Sequence, residues 1–205
     1  MYKDRTDAGL KLAKELEPYR GKNAVVLAIP RGGVPVGCAV AKQLGLPLEL
    51  LLAKKIGHPT NREYAIGAVS LTDRFVATDE DITPEYLEKE TARVRNRLFE
   101  MQEIFNAGAT PPSYRNKILI VVDDGIATGN TLLCTIGMLR KQHPAKIIIA
   151  VPVASDSSVD KLSPLVDDIV CPWIRSWFTG VGAFYENFEQ VEDEEVVAYL
   201  EKFRN

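Results

Sequence analysis

Two adjacent carboxylates, Asp123 and Asp124, close an apolar run, Ile118–Val122, and open a loop of small and hydroxyl residues, 125–131. A continuous β-branched run bounded by loop signals is the pattern of a strand buried on both faces of a parallel sheet. The apolar residues 132–139 that follow read as a helix. Thr128, Gly129, Asn130 and Thr131 therefore fall at a helix N-terminus, where unpaired N–H groups and the helix dipole attract a phosphate. The acids stand at the carboxyl end of the strand, where open α/β sheets bind ligands. Carboxylates beside a phosphate cradle require something positive or hydroxylic between them: a sugar diol, a divalent metal, or both.

Cationic and glycine-rich residues form a second group. Pro30-Arg31-Gly32-Gly33 follows another apolar run, 24–29. Its glycines let backbone N–H groups approach an anion, and Arg31 adds charge; a plain strand-to-helix turn uses the same residues. Lys54 and Lys55 end the apolar stretch 48–53, and the polar segment 57–64 (GHPTNREY) reads as a loop carrying His58 and Glu63.

The elements that must position these residues follow from periodicity. Helices are expected over 4–16, 34–44, 83–105, 156–165 and 192–203, with Thr83 as N-cap and Pro84 in first position of the long one. Strands are expected over 23–29, 48–53, 65–70, 74–77, 118–122, 146–153 and 168–170, the 65–77 pair as a hairpin at the sheet edge. The charged residues of the long helix, Glu90 among them, read as a solvated face. The order of elements implies an α/β fold: a three-layer α/β/α sandwich around a mostly parallel sheet, with a switch-point crevice if the strands at 24–29 and 118–122 are neighbours. Neither a P-loop nor a dinucleotide fingerprint is present. The aromatics of CPWIRSWFTGVGAFYENF read mainly as core, but the tryptophans and glycines sit in loop-like sequence, where an exposed ring suits stacking on a planar base.

The segment KILIVVDDGIATGNT resembles the signature of type I phosphoribosyltransferases, with Ala-Thr-Gly after the acids as in the adenine-type loop. The resemblance implies a single domain over 1–205: a core over 20–170, a mobile loop over 56–64, and a small hood from the C-terminal aromatic segment, 171–205. It implies that Asp123 and Asp124 hold the ribose hydroxyls of 5-phosphoribosyl-1-pyrophosphate (PRPP), directly or through Mg²⁺ and water. Ala127, Thr128, Gly129, Asn130 and Thr131 would wrap the 5′-phosphate. Arg31, Gly32 and Gly33 would bind pyrophosphate, with a cis peptide at Pro30–Arg31, and at least one of Lys54 and Lys55 would join them. Glu63 would act as general acid or base, with His58 as the alternative titrating group. Trp177 aligns with the ring that stacks on the nucleobase, while Phe184 stands where relatives carry an acid that helps hold metal. Ala127 stands where 6-oxopurine relatives carry a catalytic acid, so adenine or an unfamiliar amine is the better acceptor. The implied activity is Mg²⁺-dependent transfer of phosphoribosyl to a nitrogen nucleophile with release of pyrophosphate, as in nucleotide salvage. The alternative is a regulatory protein that senses PRPP without turnover.

The bulk properties agree with this. The chain has 205 residues, 46% apolar and 26% charged, enough for one α/β core. A net charge of -3 argues against a nucleic-acid partner. Cys38, Cys134 and Cys171 show no pairing or zinc spacing and read as reduced thiols of a cytoplasmic protein. The polar N-terminus is no signal peptide, and no apolar run reaches membrane-spanning length. A homo-oligomer stays open.

Overall fold

A computed structural model describes residues 1–62, 64–76, 82–105 and 113–204, with the side chain of Cys134 outside the description. In chain order the elements are α1 (Arg5–Glu15), β1 (Ala24–Ala28), α2 (Gly33–Leu44), β2 (Leu48–Leu50), β3 (Ala53–Gly57), β4 (Ala65–Ser70), β5 (Arg74–Val76) and α3 (Pro84–Ile104). There follow β6 (Ile118–Val122), α4 (Asn130–Arg140), β7 (Lys146–Ala150), β8 (Val153–Ser155), α5 (Asp156–Leu162), β9 (Asp168–Val170), β10 (Trp173–Arg175) and α6 (Asp193–Arg204).

The central sheet is parallel throughout, in the order β2-β1-β6-β7-β9. Its middle strands, β1, β6 and β7, are apolar at every position but Lys146, because both faces are covered. Val25, Leu27, Leu119, Val121, Ile147 and Ile149 pack beneath α4, whereas Val26, Ile120, Val122, Ile148 and Ala150 pack beneath α1 and α2. This alternation is the period-two geometry of a strand, and it makes the three-layer α/β/α sandwich. From β1 the chain winds outward to β2, and from β6 to β7 and β9. The β1–β6 boundary, with Ala28 opposite Val122, is the switch point.

The expected strand over 48–53 divides. Only Leu48–Leu50 pairs with β1; Leu51 donates its N–H to the Ala28 carbonyl at 2.8 Å, and the chain then enters a separate antiparallel sheet, β3-β4-β5. Lys54 and Lys55 therefore belong to the first strand of that smaller sheet, not to the carboxyl end of a parallel strand, and the β4–β5 hairpin pairs with β3 instead of with the main edge. The expected strand over 146–153 also divides, at Val151–Pro152: proline has no N–H to continue a ladder, and Val153–Ser155 pairs with Trp173–Arg175, a strand that reads as loop in the sequence. Residue 77 and most of the 108–113 linker lie outside the described residues.

Helix α3 begins as expected, with Thr83 accepting from the Tyr86 N–H and Pro84 in first position. Val94, Leu98, Met101 and Phe105 bury its stripe. Glu90 departs from the solvated-face expectation: it is buried, with its carboxylate held by Arg93 at 2.5 and 2.8 Å. At the sheet edge, Tyr114 donates to Glu49 at 2.9 Å. The C-terminal aromatics form a cluster in which Tyr2, Trp173, Phe178, Phe184, Tyr185 and Phe188 pack together. No described helix is long and apolar enough to cross a membrane.

Candidate active site

The site sits at the carboxyl ends of β1 and β6. Each strand runs directly into a helix, α2 or α4, through a glycine N-cap that provides no side-chain cap. By contrast α1, α3 and α5 are capped by Asp4, Thr83 and Ser155. Helix α4 thus keeps its first-turn N–H groups available to an anion, whereas at α2 the Gly33 and Val34 N–H groups are taken by the Ile29 and Arg31 carbonyls at 3.0 and 3.1 Å and Pro35 has none, so α2 offers its dipole. Gly129 adopts φ 67°, a left-handed conformation that glycine enters at no steric cost.

The loop between β6 and α4 is clamped from below. The Ile126 N–H donates to the Val153 carbonyl at 2.9 Å, the Ser155 N–H to the Ile126 carbonyl at 3.0 Å, and the Ser155 hydroxyl to the Ala127 carbonyl at 2.7 Å. Lys161 holds the Asn130 side-chain oxygen. Strand β8 acts as a ledge under the loop between β6 and α4.

Asp123 and Asp124 follow β6. Asp123 Oδ1 accepts from the Asp124 N–H at 2.8 Å. Asp124 Oδ2 accepts from Arg5 Nε at 2.8 Å in a pair whose side chains are only 11% and 15% exposed. Burial first, and then the neighbouring Asp124 charge, pushes the Asp123 carboxyl well above the usual range. Burial also raises Asp124, against the opposing pull of Arg5. Close carboxylates that resist joint ionisation are primed for a cation or hydroxyl donors.

The Pro30–Arg31 peptide is cis, as the resemblance implies. It leads into Gly32 and Gly33, which lie directly against the acids: a Cβ on Gly32 would collide with Asp124 Oδ2, and one on Gly33 would stand 2.8 Å from the Val122 carbonyl. Arg31 reaches Glu192 at 3.2 Å and Asp193 at 3.6 Å, at the start of α6. Lys54 and Lys55 point to opposite faces of β3, and Lys54 is on the side of Arg31 and Asp193. Although the residue as a whole is exposed, partial desolvation of its ammonium, then Arg97 and Arg31, lowers its pKa while Asp193 opposes.

The fold therefore brings together Arg31, Gly32, Gly33, Lys54, Asp123, Asp124 and residues 127–131. Lys55 lies on the β3 face that Ala53 packs against α4. Glu63 lies outside the described residues. His58 is engaged within its own loop, where its Nδ1 accepts from the Thr60 N–H at 3.2 Å. Trp177 is 95% exposed and makes no ring contact among the described residues. Sequence reasoning missed Arg5, Tyr185, Arg97, Glu192 and Asp193. Tyr185 donates to the Asp124 carbonyl at 2.6 Å. These residues join the site through contacts between distant parts of the chain, which local spacing does not encode.

A model of the phosphoribosyl transferase domain matches residues 5–189. The chain belongs to the phosphoribosyltransferase family. It is 38% identical over 207 residues to a Mycobacterium tuberculosis H37Rv protein provisionally named phosphoribosyl transferase Rv0571c, covering 98% of this chain and 47% of the relative. The chain thus spans about half the length of the curated relatives it matches. The crystal structure of TT1426 from Thermus thermophilus superposes with a TM-score of 0.90 at 34% identity over 99% of each chain. AQ2163 from Aquifex aeolicus shares the fold at TM-score 0.51 and 13% identity, covering 83% of this phosphoribosyltransferase and 74% of that chain.

The family's usual Mg²⁺ can be tested against the residues present. No cluster of three or more metal-ligating side chains occurs among the described residues. Mg²⁺ commonly takes one or two carboxylates and completes its shell with substrate oxygens and water. Asp123 and Asp124 fit that donor set: among the described residues, Asp123 Oδ2 and Asp124 Oδ1 have no hydrogen-bond partner.

Proposed function

We propose that this phosphoribosyltransferase moves the 5-phosphoribosyl group of PRPP to a nitrogen nucleophile and releases pyrophosphate. The observation that carries the reading is the placing of Asp123 and Asp124 between two helix N-termini that lack side-chain caps. That arrangement offers an N–H cradle on one side of the carboxylate pair, at α4, and the α2 dipole with Arg31 on the other. The 5′-phosphate goes to the Ala127–Thr131 loop, the ribose hydroxyls to the acids, and the pyrophosphate to Gly32, Gly33, Arg31 and Lys54.

The chemistry these residues supply is electrostatic and geometric. Breaking the C1–O bond leaves positive charge on the ribosyl centre and negative charge on the leaving group. The carboxylates favour the first, and the α2 N-terminus with Arg31 and Lys54 favours the second. Anchoring both ends of PRPP orients C1 for attack. Bound Mg²⁺, held by Asp123, Asp124 and substrate oxygens, would add charge neutralisation at the leaving group. Trp177 offers an exposed face to a planar acceptor, and Ala127 cannot move a proton, which favours adenine or another amine over hypoxanthine and guanine.

The test is pyrophosphate release from PRPP and Mg²⁺ with a panel of nucleobases and amines. Release with at least one acceptor is expected. PRPP binding without release for any acceptor would favour a sensor of PRPP, and absence of PRPP binding would reject both readings.

A further inference from the structure

The fold commits one oxygen of each carboxylate and leaves one of each. Asp123 Oδ1 is held by the Asp124 N–H at 2.8 Å. Asp124 Oδ2 is held by Arg5 at 2.8 Å and faces Gly32, with no room for a side chain between them. The oxygens that remain, Asp123 Oδ2 and Asp124 Oδ1, have no hydrogen-bond partner among the described residues. A two-point acceptor made of one oxygen from each acid matches a vicinal diol.

Arg5 decides which oxygen of Asp124 is left, and it is itself fixed. Its Nη1 donates to the Glu189 carbonyl at 2.8 Å, and its guanidinium lies over the Phe188 ring at 3.9 Å from the centroid. The helix that carries it, α1, starts at the Asp4 cap and packs so closely on α2 that a Cβ on Gly9 would stand 2.7 Å from that of Ala39. Exchange of this arginine for a ligand cation would break the charged pair, the carbonyl bond and the ring contact together. Arg31 differs, since its carboxylate partners are exposed at 54% and 24%.

We propose that Arg5 is a positioning residue of the ribose subsite: by fixing Oδ2 of Asp124 it presents Oδ1 to a ribose hydroxyl. The proposal rests on the reading of the site as a PRPP site. Its test is calorimetric titration of the full chain and of Arg5→Ala and Arg5→Lys with PRPP and, separately, inorganic pyrophosphate, each with and without Mg²⁺, the series without Mg²⁺ isolating the diol contact. Arg5→Ala should weaken PRPP at least tenfold while pyrophosphate affinity stays within about twofold, because only PRPP carries the diol. Arg5→Lys keeps a cation but not the three-way anchorage, and should lose PRPP affinity about threefold or more with pyrophosphate again unchanged. If Arg5→Ala does not fold, as read by circular dichroism, Arg5→Lys alone decides. PRPP affinity within twofold of the parent, or equal loss of both probes in a folded variant, overturns the role of Arg5 and leaves the site reading intact. A parent chain that binds no PRPP overturns the site reading and this proposal with it.

Discussion

Gly32 and Asp124 touch across the switch point, with Oδ2 of the acid occupying the place where a side chain on residue 32 would begin. The Pro30–Gly33 loop and the acid pair are therefore two walls of one crevice and cannot be altered separately. Gly32→Ala should drive Asp124 off Arg5 and cost about 1–3 kcal/mol of stability, in the manner of overpacking. It should also weaken PRPP more than tenfold. Thermal melts and PRPP titration check both effects; an alanine variant with the parent's affinity would show that the carboxylate moves freely.

Arg31 is paired with carboxylates where a pyrophosphate is expected to lie. Neutralising them with Glu192→Gln and Asp193→Asn should tighten pyrophosphate binding by up to about fivefold, the worth of an exposed ion pair of roughly 1 kcal/mol. The gain should shrink as salt rises. Titrations at low and high ionic strength read it, and unchanged affinity at both would place pyrophosphate away from Arg31.

Trp177, at 95% exposure, contributes almost nothing to the core. Trp177→Ala should leave the melting temperature and PRPP affinity unchanged and raise KM for the acceptor severalfold, since base–aromatic stacking is worth about 1–3 kcal/mol. Steady-state kinetics on the acceptor identified by the panel decides this; an unaltered KM removes Trp177 from the acceptor site.

Stability should depend on pH through Glu49, at the edge of the sheet. Burial raises its carboxyl above the ordinary 4.5, against the smaller opposing effects of Tyr114 and Lys117. The folded chain then holds the proton at pH values where the unfolded chain has lost it. The stabilisation is complete below the ordinary value and is lost as pH rises through the raised one. Glu49→Gln, which can still accept from Tyr114, should melt above the parent at neutral pH, with the difference closing toward about pH 4. Melting curves across that range test it, and a constant difference would reject the cause.

Much of the site was legible because its determinants are local. Ile118–Val122 reads as a doubly buried strand since both faces demand apolar side chains, and the acids and the Thr-Gly loop follow it without interruption. The breaks after Leu50 and Ala150 were not legible, because the apolar run continues past each while the chain leaves the sheet. Leu51 and Leu52 are buried although they belong to neither strand, so hydrophobicity carries no mark of where one sheet ends and the other begins. Glu90 misled for the opposite reason: a charge on a helix reads as solvated until its partner, three residues on, is seen to fold over it. Arg5 carries no local signal, since its acid partner lies 119 positions away.

That separation sets an order of assembly. The contacts of Arg5 with Asp124 and Glu189 span 119 and 184 positions, whereas Ala24 of β1 pairs with Ile118 of β6 across 94. Long loops close late, and during synthesis the earlier segments emerge first. The candidate site is complete only when residues 188 and 189 have folded back onto α1.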